Sequence, residues 1–244
     1  MGEPEGLEGR VARVDARQLE VVVGEETLAL PMLGRVFDNK GEDKVPVAVG
    51  DRVLLRKRGG ELGVEAVLER RNVFARRAAG QDSRRQLLAA NVDRVVVVAS
   101  FGNPPFSSIT VDRILVACSF GGIESAVVLN KTDLAKGDEC ARISDTYLRA
   151  GFKVIPTSAT REEGIGALTE LLKDCESVLY GLSGVGKSSL LNLIQPGLGL
   201  KTREVSEALN SGRHTTAFAR RWPLDCGGAV IDTPGVRVFR PWGV

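Results

Sequence analysis

The chain contains a single histidine, His214, and four widely separated cysteines, Cys118, Cys140, Cys175 and Cys226. With no C-x-x-C pair and no second imidazole, the closely spaced nitrogen and sulfur ligands of a zinc site are missing, and none is expected. The thiols read as reduced packing residues. No apolar run approaches the roughly 18 residues that a membrane span needs. The opening MGEPEGLEGR puts acids and glycines where a signal peptide would carry a basic stretch and an apolar core. A soluble cytoplasmic protein without membrane contact is expected, and a monomer. Aromatic residues make up only 5% of the chain, and no aromatic platform interleaves with basic residues, so base stacking is not supported. Charged residues at 26% and hydrophobic residues at 43% exclude global disorder. A length of 244 residues suits two modest domains.

From Leu7 to about Leu68 short apolar alternations are separated by turn signals, at Leu7 to Val14, Leu19 to Val23, Thr27 to Leu30, Val49 to Leu55 and Gly63 to Leu68. Five short strands in residues 1–68 predict a small all-β barrel of OB type, although an SH3-like barrel would read much the same. Residues 69–90 are rich in Arg and Ala and read as a basic linker. Between Arg52 and Arg94 eleven basic residues face five acidic ones, a surplus of six, although the whole chain carries only +2. The arginine pairs Arg70-Arg71, Arg76-Arg77 and Arg84-Arg85 beside a barrel fit a phosphate-backbone footprint, or else a solvated linker.

Residues 91–244 change character. Buried strands at Arg94 to Ser100 (RVVVVAS), Ser125 to Asn130, Phe152 to Pro156, Ser177 to Tyr180 and Ala229 to Asp232 alternate with helical patterns. The helices fall at Thr110 to Phe120, Glu139 to Ala150, Gly166 to Leu172 and Lys187 to Ile194. Alternation of strands and helices, with VVVV-type strands, implies a mostly parallel sheet covered on both faces, an α/β domain. Ligands of such sheets bind at loops beyond the carboxyl ends of the strands.

The chemistry-bearing motifs fall on those loops. Gly181-Leu182-Ser183-Gly184-Val185-Gly186-Lys187-Ser188 follows a strand and opens a helix. It matches the P-loop pattern, in which backbone N–H groups, including that of Ser189, cradle phosphates. There Lys187 reaches the β- and γ-phosphates and the Ser188 hydroxyl ligates Mg²⁺. Asn130-Lys131-Thr132-Asp133 follows another strand and fits the guanine-reading N-K-x-D element. The Asp133 carboxylate accepts from both N1–H and the exocyclic amine of guanine, donors that adenine does not present together. Thr157-Ser158-Ala159 fits the loop that supports the base from its backbone. Asp232-Thr233-Pro234-Gly235 fits D-x-x-G, with Asp232 near Mg²⁺, directly or through water, and the Gly235 N–H facing the γ-phosphate.

An ordinary GTPase runs from P-loop through switch I and D-x-x-G to N-K-x-D. Here N-K-x-D comes first, then the P-loop, then Gly212-Arg213-His214-Thr215-Thr216, then D-x-x-G. This is the order of a circularly permuted P-loop GTPase domain, a rearrangement that neighbouring termini permit. At GLSGVGKSSLLN, NKTDL, SGRHTT, IDTPGVR and AANVDRVVVV the chain resembles the ribosome small subunit-dependent GTPase A family, over about residues 5 to 240. The resemblance implies an N-terminal OB domain and GTP hydrolysis on the small ribosomal subunit, in contact with its rRNA, during late maturation. Family members typically continue into a helical domain with a zinc site of Cys and His. Nine residues follow Gly235 here and none is Cys or His, so that site is not carried over.

Many GTPases place a water-orienting Gln directly after D-x-x-G, but this chain has Val236. An isopropyl group neither donates nor accepts a hydrogen bond. The resemblance implies that Thr216 of switch I meets Mg²⁺ and that His214 positions the attacking water; a solvated structural histidine is the competing reading. Val236 also keeps open a nucleotide-controlled RNA-binding switch with negligible intrinsic catalysis. A large-subunit assembly GTPase is the third alternative.

Overall fold

The computed structural model describes residues 6–15, 18–32, 42–78, 82, 84–200, 219–233 and 239–243. Five antiparallel strands come first: β1 (Leu7–Val14), β2 (Leu19–Val23), β3 (Glu26–Leu30), β4 (Arg52–Arg58) and β5 (Glu61–Val67). Hydrogen bonding runs β3-β2-β1-β4-β5, and a bridge between Met32 and Val64 brings β5 back toward β3. This closes an OB-like barrel around Val11, Leu19, Val21, Val53, Leu55 and Val64. The fourth strand starts later than its apolar pattern suggests. The fully buried Asp51 carboxylate accepts from the Ala48 N–H at 2.8 Å and makes a turn of residues that read as strand.

Residues 69–90 hold more than a linker. β6 (Val73–Arg77) and β7 (Arg85–Ala90) pair as a separate two-stranded antiparallel sheet. Its anchor is Phe74, 1% exposed, which meets Tyr180 edge-on at 5.2 Å and stacks on Phe239 at 5.9 Å. A single aromatic residue among arginines gives no periodic signal.

The remaining elements build the α/β domain: β8 (Arg94–Ser100), α1 (Ser108–Phe120), β9 (Glu124–Asn130), α2 (Glu139–Arg149), β10 (Lys153–Pro156), α3 (Ile165–Leu172), β11 (Cys175–Tyr180), α4 (Lys187–Ile194), β12 (Arg220–Pro223) and β13 (Gly228–Asp232). The sheet order is β10-β9-β8-β11-β13-β12, parallel except for the antiparallel pairing of β12 with β13. Period-two alternation explains the continuous apolar strand β8: Val95, Val97 and Ala99 enter the core with α1, while Val96 and Val98 enter the core with α3 and α4. Cys118 of α1 is fully buried, and desolvation pushes its thiol up to about 12. The barrel is not a separate sheet. β1 pairs antiparallel with β12, so the sheet continues from the α/β domain into the barrel.

Candidate nucleotide site

The carboxyl ends of β8, β9, β10, β11 and β13 gather the motifs at one edge of the sheet. The P-loop leaves β11 at Gly181 and enters α4 at Lys187, the helix opening that favours anions. Gly186 has φ +99°, and a Cβ there would lie 2.3 Å from Nδ2 of Asn130. Only glycine permits this approach.

Lys187 is buried, and its ammonium donates to the carbonyls of Gly181 at 3.0 Å and Leu182 at 3.2 Å. Burial lowers its pKa, and the carboxylate of Asp232 opposes that shift. Asp232 ends β13 opposite Leu179 of β11. Burial raises its pKa, with Lys187 pulling the other way. Among the described residues Oδ1 of Asp232 is buried without a hydrogen-bond partner. An orphaned carboxylate oxygen beside a P-loop lysine fits a bound cation, since a buried acceptor left unmatched costs about 1–3 kcal/mol. Ser188 and Ser189 are half-buried on the first turn of α4. Thr233 ties the exit of β13 to β11 by donating to the Leu179 carbonyl at 3.1 Å.

The base-reading loops are bound to the P-loop. Asn130 donates through Nδ2 to the Val185 carbonyl at 2.8 Å and accepts from the Thr157 hydroxyl at 3.1 Å. Lys131, in the left-handed region at φ +61°, donates to the carbonyls of Gly184 at 2.7 Å and Asn103 at 2.5 Å. Thr132 donates from its backbone N–H and its hydroxyl to the Thr157 carbonyl, each at 3.1 Å. The Ser158 hydroxyl donates to Oδ1 of Asp133 at 2.5 Å, and this hydrogen bond holds the carboxyl below its ordinary range. Ala159 packs against the core beneath α3 and α4. Asn130 to Asp133, Ser158, Ala159, Gly181 to Ser189 and Asp232 therefore converge. His214, Thr216, Gly235 and Val236 lie outside the described residues.

Sequence reading missed the loop after β8. Its Asn103 carbonyl receives Lys131, and the Ser100 hydroxyl donates to the Pro104 carbonyl at 3.0 Å. The available signal was an Asn-Pro-Pro turn at the carboxyl end of a buried strand.

Two of the three arginine pairs are matched by acids. Arg70 makes a two-point pair with buried Asp51 at 2.7 and 2.8 Å. Arg71 binds Asp93 at 2.6 Å, Arg84 binds Asp82 at 2.9 Å, and Arg85 binds Asp43 at 2.6 Å. Two of these acids, Asp43 and Asp51, lie before the basic segment, which is why counting charge along the chain overstated the exposed surplus. At the tip of the β4–β5 hairpin Arg56, Lys57 and Arg58 outnumber Glu61 and Glu65 by one: half-exposed Arg56 and Arg58 share Glu65, exposed Lys57 lies between them, and exposed Glu61 stands opposite Arg58.

Residues 67–242 match the RsgA GTPase family. The small ribosomal subunit biogenesis GTPase RsgA of Gemmatimonas aurantiaca is 36% identical over 222 residues, covering 90% of this chain and 72% of the relative. Its counterpart in Chlorobaculum parvum is 37% identical over 251 residues, covering 98% and 80%. Among solved structures, YjeQ from Thermotoga maritima aligns with a TM-score of 0.67 at 32% identity, over 93% of this chain and 74% of that one. The circularly permuted GTPase YloQ aligns at 0.63 and 25% identity, over 98% and 76%.

Proposed function

This chain belongs to the RsgA GTPase family and hydrolyses GTP to GDP and phosphate, and from that premise we propose that turnover is coupled to binding and release of the small ribosomal subunit during its late maturation. The observation that carries the reading is the closure of N-K-x-D onto the P-loop through Asn130 and Lys131, in a domain whose sheet runs into an N-terminal barrel. The names of the relatives supply the partner.

The chain's own residues divide the work. Backbone N–H groups from Gly181 to Ser189 wrap the phosphates, and Lys187 exchanges loop carbonyls for phosphate oxygens. Asp133, whose carboxylate accepts from the Ser158 hydroxyl, reads guanine. Ser188, Thr216 and Asp232 would hold Mg²⁺, Asp232 directly or through water, and the orphaned Oδ1 supports that assignment. Bound there, Mg²⁺ neutralises charge on the β- and γ-phosphates. His214 orients the attacking water in place of the glutamine that Val236 replaces, and the Gly235 N–H faces the γ-phosphate. The barrel docks on rRNA through the Arg56-Lys57-Arg58 tip, where two guanidinium groups share one carboxylate. The ribosomal partner in the relatives' names supports a cytoplasmic site of action, and we propose that the chain acts there as a monomer.

Co-sedimentation tests this. The chain should pellet with small subunits in a nonhydrolysable GTP analogue, less so in GDP, and binding should weaken steeply with salt. Equal pelleting with large subunits, or indifference to the nucleotide, would overturn it.

A further inference from the structure

We infer that β12, the strand leaving switch I, couples the barrel to the nucleotide site, with Arg10 and Glu20 of the barrel as positioning residues for the stimulated reaction. The inference rests on the small-subunit reading above and names the contacts through which that partner would act on turnover.

The barrel grips β12 in three ways. Its backbone pairs with the strand, Arg13 of β1 standing opposite Arg220. Glu20 of β2 binds Arg220 at 3.1 Å while also holding Arg13 at 3.3 Å. On the next residue, Arg221 makes a two-point pair with Glu176 at 2.5 and 3.0 Å, and Arg10 of β1 binds that same carboxylate at 2.7 Å. Consecutive strand residues point to opposite faces. The barrel therefore reaches β12 through its main chain, directly from one face at Arg220, and through the shared Glu176 of β11 from the other.

The other edge of β12 belongs to the catalytic domain. Arg220 stands opposite Asp232 in the β12–β13 ladder, and β13 lies beside the strand that leads into the P-loop. From Glu20 to Asp232 the connection takes two steps, an ion pair and a strand register. In sequence Arg220 follows Thr216 by four positions. A displacement of β12 and β13 with nucleotide state must move the barrel or strain these pairs. By reciprocity, a partner that fixes the barrel biases β12. The side chains of Glu176 and Arg221 are 14% and 15% exposed, so their charges depend on staying paired.

The test uses the full chain carrying Arg10→Gln and Glu20→Gln together. GTP turnover is measured alone and with saturating small subunits, alongside small-subunit affinity in a GTP analogue and in GDP. Basal turnover and GDP affinity should match wild type. Stimulation and the affinity ratio should both fall, by a factor within the range of about 5 to 150 that couplings span. The control is Glu8→Gln with Arg52→Gln, which removes an exposed pair joining β1 to β4 and should leave stimulation intact. If the double variant fails to fold, Glu20→Gln alone carries the test, because its pair with Arg220 is partly exposed. Wild-type stimulation that persists in the variant overturns the coupling and leaves the small-subunit reading standing. A wild type with no stimulation removes both.

Discussion

The amide of Asn130 donates to the Val185 carbonyl at 2.8 Å, across 55 positions of sequence. The bond makes the base-reading loop and the phosphate-binding loop one object, so that guanine and phosphate recognition stand or fall together. Asn130→Ala leaves the Val185 carbonyl and the Thr157 hydroxyl without their partner, at about 1–3 kcal/mol. Both bonds exist in the nucleotide-free protein, so its thermal midpoint should fall by about 2–4 °C per kcal/mol lost, and with the two loops no longer held together GDP affinity should fall roughly 10-fold or more by titration calorimetry.

Ser158 favours the charged form of Asp133. The hydrogen bond from its hydroxyl lowers the folded-state pKa of the carboxyl. Stabilisation of this kind is present above the unfolded value of about 3.9 and is lost as pH falls through the lower folded value. In Ser158→Ala the carboxyl should titrate at higher pH than in wild type. Carbon NMR of the side-chain carboxyl reads this directly; an unchanged titration would disprove the role given to the hydroxyl.

The aromatic cluster of Phe74, Tyr180 and Phe239 joins the basic hairpin to the P-loop strand and to the chain beyond D-x-x-G. Phe74→Ala should cost about 3–5 kcal/mol. For a chain of this size that lowers the thermal midpoint by roughly 10 °C, measurable by calorimetry.

His214 and Lys187 should separate catalysis from binding. His214→Ala should lower turnover while leaving GDP affinity near wild type, whereas Lys187→Ala should weaken nucleotide binding itself. Similar losses of affinity in both would mark the histidine as structural.

Much of the α/β domain was legible because its central strands carry unbroken apolar runs, VVVVA in β8 and AVVL in β9. RVVVVAS has one reading, and α4 begins and ends where its pattern does, at Lys187 and Ile194. The motif loops follow, since residues after such strands must lie at one edge of the sheet. What stayed hidden depends on partners distant in sequence. The four residues of β12, Arg220–Pro223, offer two arginines, a tryptophan and a proline, and form a strand because β1 and β13 flank them. The hairpin of β6 and β7 escaped notice because Arg and Ala dominate it, because its anchor Phe74 is a lone aromatic, and because the acid that holds Arg85 is Asp43, 42 positions earlier. Asp51 misplaced the start of β4 for a related reason: its role is to cap a turn and hold Arg70, and neither shows in alternation.

The central claim is tested most directly by the GTP turnover of the purified chain alone, with small ribosomal subunits and with large ones. The account predicts slow hydrolysis of GTP, none of ATP, and a rise in rate with small subunits only. A rate unchanged by small subunits, or raised equally by large ones, would contradict it.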